Sequence, residues 1–168
     1  EVYYEDKSRQ DTVKQMMFLE RYDSYFADLL KSSAVHELAE TVLGEPAIAQ
    51  NMEYFNKPPG IGKQTPPHQD GYYFKIAPPQ AVTGWLALEP VDDENGCLNY
   101  VRGSHRGPEL NPIASVDADG THFLYPRATH MLPFPDIDAD RSAFDIVAWD
   151  YRPGDVILFH TLTIHGGA

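Results

Sequence analysis

The stretch Thr65 to Phe74, "TPPHQDGYYF", sets an imidazole, His68, two positions before a carboxylate, Asp70. Side chains at that spacing point to one face of an extended chain, so the two can ligate a single metal ion if residues 68 to 70 are extended. The proline pair favours this, because the residue before a proline is pushed out of the helical region. Two ligands do not make a site, and a third is sought in "RPGDVILFHTLTIHGG", where an apolar run carries His160 and His165 to a glycine pair. On one uninterrupted strand their odd offset turns them to opposite faces, so only one faces the site. His165, beside Gly166 and Gly167, has room for a ligand, and His160, inside the apolar run, reads equally as a core histidine. Two histidines and one carboxylate form the facial triad that holds Fe(II) and leaves adjacent positions open for oxygen chemistry. A closed structural zinc site would need four ligands, often cysteines, and the sequence has one cysteine. His36, His105, His122 and His130 have no ligand-like spacing to one another and read as surface or structural residues.

The elements that must position these residues follow from periodicity. Residues 8 to 43 read as two amphipathic helices: Val13, Met17 and Phe18 lead to Tyr22, Tyr25, Phe26 and Leu29, and Val35, Leu38, Ala39 and Val42 form a second stripe. Ser33 is the expected N-cap of the second helix, Gly44 and Pro46 end it, and both stripes are expected to face a core. From about Ala47 the texture becomes short β-like runs between "KPPG", "DDENG" and "RPGD", which predicts a sandwich or barrel. Arg106 to Arg141, rich in Pro, Asp and Gly, reads as an irregular binding segment. The chain is expected to be one domain with a helical N-terminal part, about 8–43, and a β-barrel core, about 47–168.

The sequence has 168 residues and a formal charge of −12, with 13 scattered basic residues, which disfavours nucleic acid and anionic membrane surfaces as partners. No apolar run approaches the roughly 20 residues that cross a bilayer. No signal segment opens the chain, and with Cys97 as the single cysteine the expected compartment is reducing and cytoplasmic. In "NGCL", Cys97 reads as a small buried hydrophobe rather than a catalytic thiol.

Four pieces in order, "FNKPPG", "PPHQDGYYF", "AVTGWLALEPVDDENGCLNYVRGSHRG" and "PGDVILFHTLTIHGG", resemble the phytanoyl-CoA dioxygenase family of Fe(II)- and 2-oxoglutarate-dependent oxygenases. The resemblance covers roughly residues 35 to 167. It implies a mainly β fold with flanking helices, a double-stranded β-helix of the jelly-roll, cupin-like kind, and it decides for His68, Asp70 and His165 as the iron triad. It also implies Fe(II), 2-oxoglutarate and O2 as cofactor and cosubstrates, with succinate and CO2 released as a small molecule is hydroxylated. Gln69 and Trp85 are implied near the cosubstrate, and Lys57 on a strand lining the same pocket. Related halogenases replace the carboxylate with a small residue, so Asp70 argues for hydroxylation.

The chain departs from the family in two places. An arginine expected about ten positions after the last histidine, suited to bidentate carboxylate recognition, would fall beyond Ala168, and Gly167 stands where Ser or Thr is frequent. The sequence is therefore expected to be incomplete at both ends. "GSHRG", residues 103–107, reads as a turn near the barrel mouth, with His105 and Arg106 as candidate substrate contacts. Alternate members of Tyr72, Tyr73 and Phe74 are candidates to face the pocket. Acyl-CoA is disfavoured as substrate, since no cationic cluster awaits its phosphates. The rival readings are a metal-dependent isomerase or a cosubstrate-independent dioxygenase on the same barrel, or a non-catalytic metal- or ligand-binding barrel.

Overall fold

The computed structural model describes residues 2–4, 8–9, 13–60, 64–74, 76, 80–111 and 129–167, and His122 lies outside them. The chain divides into two compact units, Glu1–Lys63 and Gln64–Ala168.

In the first unit, β1 (Val2–Tyr4), β2 (Val13–Met17) and β3 (Glu53–Phe55) form an antiparallel sheet in the order β1-β2-β3. Gln15 lies opposite Phe55 and Met17 opposite Glu53, and the Gln15 amide donates to the Glu53 carboxylate at 2.8 Å. Residues 13–17 are thus a strand, where helical periodicity was expected. Val13 and Met17 are four apart, which is one helical turn or two pleats, and the pattern alone does not choose. Pairing to a strand on each side decides it. Phe18, at φ 59°, turns the chain out of β2. A 3-10 turn, Leu19–Arg21, then leads to α1 (Ser24–Ser32) and α2 (Ala34–Leu43).

Asp23 caps α1 by accepting from Tyr25 N, and Ser33 caps α2 by accepting from His36 N, the cap foreseen from sequence. Gly44 ends α2 at φ 75° with its N–H on the Glu40 carbonyl. The stripes are less covered than expected. No residue of α1 or α2 is fully buried, and Tyr22, Tyr25, Leu38 and Val42 are exposed. Amphipathic spacing fixes which side of a helix is apolar, and whether a neighbour covers that side is a tertiary matter.

In the second unit, β4 (Thr65–His68), β9 (His165–Gly167), β6 (Leu98–Val101) and β7 (Ile146–Val147) form one antiparallel sheet in that order. A second sheet pairs β5 (Val82–Leu86) with β8 (Val156–His160). Strand alternation turns Thr83, Trp85, Ile157 and Phe159 to one face of the pair, and β4, β9 and β6 turn His68, His165 and Tyr100 to one face of theirs. The two faces meet. Tyr100 and Phe159 pack edge to face with ring centroids 5.1 Å apart. Below this layer Ala87, Cys97 and Tyr151 are buried, with Trp85, Val91, Ala148 and Ile157 against them. Strand β3, inside the expected barrel range, belongs to the sheet of the first unit.

Two local expectations change. Residues 71–74 form a helical turn, α3 (Gly71–Phe74), so strand alternation does not sort Tyr72, Tyr73 and Phe74. The His160 to His165 run is broken by a turn at residues 161–164, so the two histidines lie on different strands. In the irregular segment, Leu110 bridges Leu132 and Asn111 bonds the carbonyls of Leu132 and Met131, while residues 112–128 lie outside the described residues. No helix among the described residues is long and apolar enough to cross a membrane.

Cys97 is 1% exposed, and burial, with the Asp93 carboxylate next to it, pushes its thiol up to about 11. A thiol reacts as thiolate. The native protein should therefore resist Ellman's reagent at pH 8 and release one equivalent of thiol only on unfolding. Prompt labelling of the native state would contradict this packing.

Candidate metal centre

Strand β4 is an edge strand, which is where Pro66 and Pro67 can sit without leaving a ladder bond unmade. Its register against β9 shifts between Thr65 and His68 and ends with His68 directly opposite His165. The glycine pair makes this approach possible. A Cβ on Gly166 would stand 2.8 Å from the Thr65 carbonyl oxygen and 2.9 Å from Pro67 N. One on Gly167 would stand 2.9 Å from the Cys97 carbonyl oxygen, so glycine there answers to backbone crowding. Asp70 lies in a bend beyond the end of β4 rather than on the strand.

His68, Asp70 and His165 each offer a ligand atom, and these lie within 4.8 Å of one another. No other such group occurs among the described residues. Asp70 Oδ1 stands 3.5 Å from His68 Nε2 and 3.6 Å from His165 Nε2. His68 Nδ1 faces the Pro66 carbonyl and His165 Nδ1 the Thr163 carbonyl, both at 2.9 Å. A carbonyl only accepts, so each Nδ1 donates, and in the neutral ring each Nε2 carries the lone pair toward the shared centre. Thr83 Oγ1 donates to Asp70 Oδ2 at 2.6 Å, which leaves Oδ1 for the centre. Two imidazole nitrogens and one carboxylate oxygen, each held from behind, suit a divalent iron.

Electrostatics agree with a site built for a cation. Burial pulls the His68 pKa down, but the hydrogen bond to Asp70, that carboxylate's charge and the Pro66 carbonyl outweigh it and hold it above 6.5. Burial opposes the Asp70 charge, yet the His68 hydrogen bond, His165 and Thr83 win and lower its pKa. Burial, then the charge of His68, takes His165 down to about 4, against the opposing pull of Asp70.

The other sequence-predicted residues take different places in the fold. Gln69 is buried, and its amide is engaged with the backbone of Leu162, Pro108 and Leu110. Trp85 lies on the same face of β5 as Thr83 and packs edge-on against Tyr151, centroids 4.9 Å apart. Lys57 lies two residues past the end of β3 in the first unit, not on a strand. His160 Nδ1 accepts from Leu162 N at 3.0 Å and so shapes the turn that delivers His165, and its ring lies 5.8 Å from that of His105. Arg106 follows His105 in the 3-10 turn Ser104–Arg106.

Of the three aromatics singled out from sequence, Tyr73 stands edge-on to His68 at 6.2 Å. The sequence reading missed two supports. Thr83 gave no motif, being one threonine in a strand. Ser104 Oγ accepts from Ile164 N at 2.8 Å and donates to the Val101 carbonyl, fixing the residue before His165. A cavity of about 280 Å3, lined by Pro67, Asn99, Arg141, Ile146 and Ile164 among others, lies behind this sheet, since Asn99 and Gly166 alternate with Tyr100 and His165.

Two facing antiparallel sheets, with two histidines and a carboxylate gathered at one candidate metal centre, define a protein of the jelly-roll class. The phytanoyl-CoA dioxygenase (PhyH) family profile matches residues 2–168, and the chain belongs to that family. Phytanoyl-CoA dioxygenase 1 of Oryza sativa subsp. japonica is 34% identical over 120 residues, 71% of this chain and 38% of that protein. Phytanoyl-CoA dioxygenase domain-containing protein 1 of Danio rerio is 39% identical over 155 residues, 89% of this chain and 49% of that protein. The chain thus spans half or less of the length of these relatives. Among solved structures, EctD from S. alaskensis with bound Fe superposes with a TM-score of 0.74 at 19% identity, over 99% of this chain and 54% of that one. The non-heme alpha-ketoglutarate-dependent carbocyclase SnoK does so with a TM-score of 0.67 at 22% identity, over 99% of this chain and 60% of that one. The fold is the mainly β, cupin-like jelly roll that the resemblance implied.

Two outcomes test the centre. Loading must displace the proton that His68 holds above its ordinary range, so apparent metal affinity should rise with pH until that pKa is passed and then level. His165, neutral down to about 4, adds no proton in that window. Calorimetric titration of Mn(II) in buffers of different ionisation heat should count on the order of one proton released below the step and fewer above it. Affinity independent of pH across that range would contradict the coupling. Thr83→Val should weaken Mn(II) binding about 10- to 100-fold with circular dichroism unchanged, because the Asp70 carboxylate is freed to rotate.

Proposed function

We propose that the chain carries the iron centre of an Fe(II)- and 2-oxoglutarate-dependent dioxygenase acting on a small molecule. The observation that supports this is the locked donor set: two Nε2 atoms whose Nδ1 partners are backbone carbonyls, and one carboxylate oxygen whose twin is held by Thr83. His68, Asp70 and His165 would hold the iron. Bound iron supplies the coupled oxidation of 2-oxoglutarate and substrate by dioxygen, with succinate and CO2 released.

The chain's own residues do the rest. The carbonyls of Pro66 and Thr163 hold the proton on Nδ1 of each imidazole and so aim each Nε2 at the shared centre. Tyr100 and Phe159 pack against the His165 ring, at 6.0 and 4.5 Å between centroids, and exclude water from that side. Trp85, on the face that carries Thr83, is the residue assigned to the cosubstrate wall. Lys57 is kept as a candidate cosubstrate contact on the family resemblance alone. Tyr73, edge-on to His68, is the candidate aromatic for a substrate contact.

Hydroxylation is the reaction this reading favours, because Asp70 fills as a carboxylate the position that a halide would need. Relatives on the same fold include a carbocyclase and an epimerase, so the substrate's fate follows from what is bound beside the metal.

Asp70→Ala should abolish 2-oxoglutarate turnover, read as succinate formed with oxygen consumed. The wild-type protein should develop a metal-to-ligand charge-transfer band when Fe(II) and 2-oxoglutarate are added without oxygen. A variant that still turns over would remove Asp70 from the centre, and a wild type with no band would leave a non-catalytic barrel; either result would sink the proposal.

A further inference from the structure

Gln69 sits between two of the three candidate ligands and is 4% exposed. Its Nε2 donates to the Leu162 carbonyl at 2.7 Å and to the Pro108 carbonyl at 3.4 Å, and its Oε1 accepts from Leu110 N at 2.9 Å. A glutamine amide has two N–H donors, and both are taken. The orientation is set by the partners, since a flipped amide would press its oxygen against two carbonyls. No donor is left for a cosubstrate.

Each partner belongs to a segment that the triad depends on. Leu162 lies in the turn whose Thr163 carbonyl orients His165 and whose Thr161 carbonyl accepts from Gly71 N at 2.9 Å. Pro108 and Leu110 follow the GSHRG turn, in which Ser104 fixes Ile164 N. The Gln69 amide meets Pro108 and Leu110 as a strand residue meets its neighbour, one donor and one acceptor to alternate residues. Leu110 in turn bridges Leu132.

We propose that Gln69 is a positioning residue that fastens the Asp70 bend, the turn delivering His165 and the Pro108–Leu110 segment into one unit, and that it sets metal affinity rather than cosubstrate affinity. This rests on the metal-centre reading and assigns Gln69 a different part from the cosubstrate contact that family resemblance implies. Losing the amide frees the bend and the turn together, so Oδ1 of Asp70 and Nε2 of His165 no longer arrive at one point. Losing a residue that touches only the cosubstrate leaves the bare metal site intact.

The test compares wild type, Gln69→Ala and Gln69→Glu. Glutamate keeps the acceptor for Leu110 N and sets a charged oxygen against the Leu162 and Pro108 carbonyls, so it separates the two sides of the clamp and serves if the alanine variant does not fold. Co(II) is titrated anaerobically without 2-oxoglutarate and followed by its visible absorption. Exchange of the Gly71 and Leu110 amides is measured in the metal-free protein.

The expected result is a Co(II) dissociation constant raised tenfold or more in both variants, with an altered absorption envelope. Gly71 should exchange at least tenfold faster in both, and Leu110 faster in the alanine variant only. Wild-type Co(II) affinity and wild-type exchange in both variants would overturn the proposal, as would a change confined to 2-oxoglutarate affinity. If the wild type itself binds no Co(II), the metal-centre reading and the metal-affinity claim fail together, and the exchange rates alone decide whether the clamp exists.

Discussion

The antiparallel pairing of β4 with β9 is the constraint on which the rest of the site depends. It sets His68 opposite His165, two residues that no local structure could bring together. The approach is allowed because Gly166 has no Cβ to meet the Thr65 carbonyl oxygen and Pro67, and because an edge strand tolerates two prolines. Slipping this register by one residue would turn the imidazoles to opposite faces of the sheet. Ser104 and the turn before His165 hold the pairing in place from the other side.

Once the strands are paired, the chemistry of the centre is decided by what stands behind each ligand. Two backbone carbonyls choose the tautomer of both imidazoles, and a threonine hydroxyl chooses which carboxylate oxygen points inward. The result is a cluster of two buried groups, Asp70 and His165, and the half-buried His68, in which one carboxylate serves two imidazoles. Burial disfavours the protonated His165, while Asp70 keeps a proton on His68. A divalent cation in place of that proton would satisfy all three groups, and its binding energy would then also be folding energy for the two segments it joins.

The same scaffold supports different outcomes in proteins of similar fold, a carbocyclase and an epimerase among them. What distinguishes members is the set of side chains around the metal. Here Tyr73 stands beside His68, while Trp85 and Tyr151 pack in the buried cluster with Ala87 and Cys97.

The order of motifs carried the family resemblance, which implied the jelly roll and pointed to the three residues that the structure brings within 4.8 Å of one another, and Ser33 and Gly44 marked the caps of α2 because a Ser before a helix and a Gly after it are local signals. Other features were not local. Val13 and Met17 fit helix and strand alike until β1 and β3 lay beside them. Tyr72 to Phe74 alternated on paper and became a helical turn, and the stripes of α1 and α2 were apolar without being buried. Thr83, Ser104 and the three bonds of Gln69 carry no sequence signature, since their partners are backbone atoms or residues far along the chain, as with Leu162, 93 positions from Gln69. The sequence by itself determined which atoms can bind a metal. Only the tertiary structure decided which lone pairs face it, because that depends on hydrogen bonds made after the strands have paired.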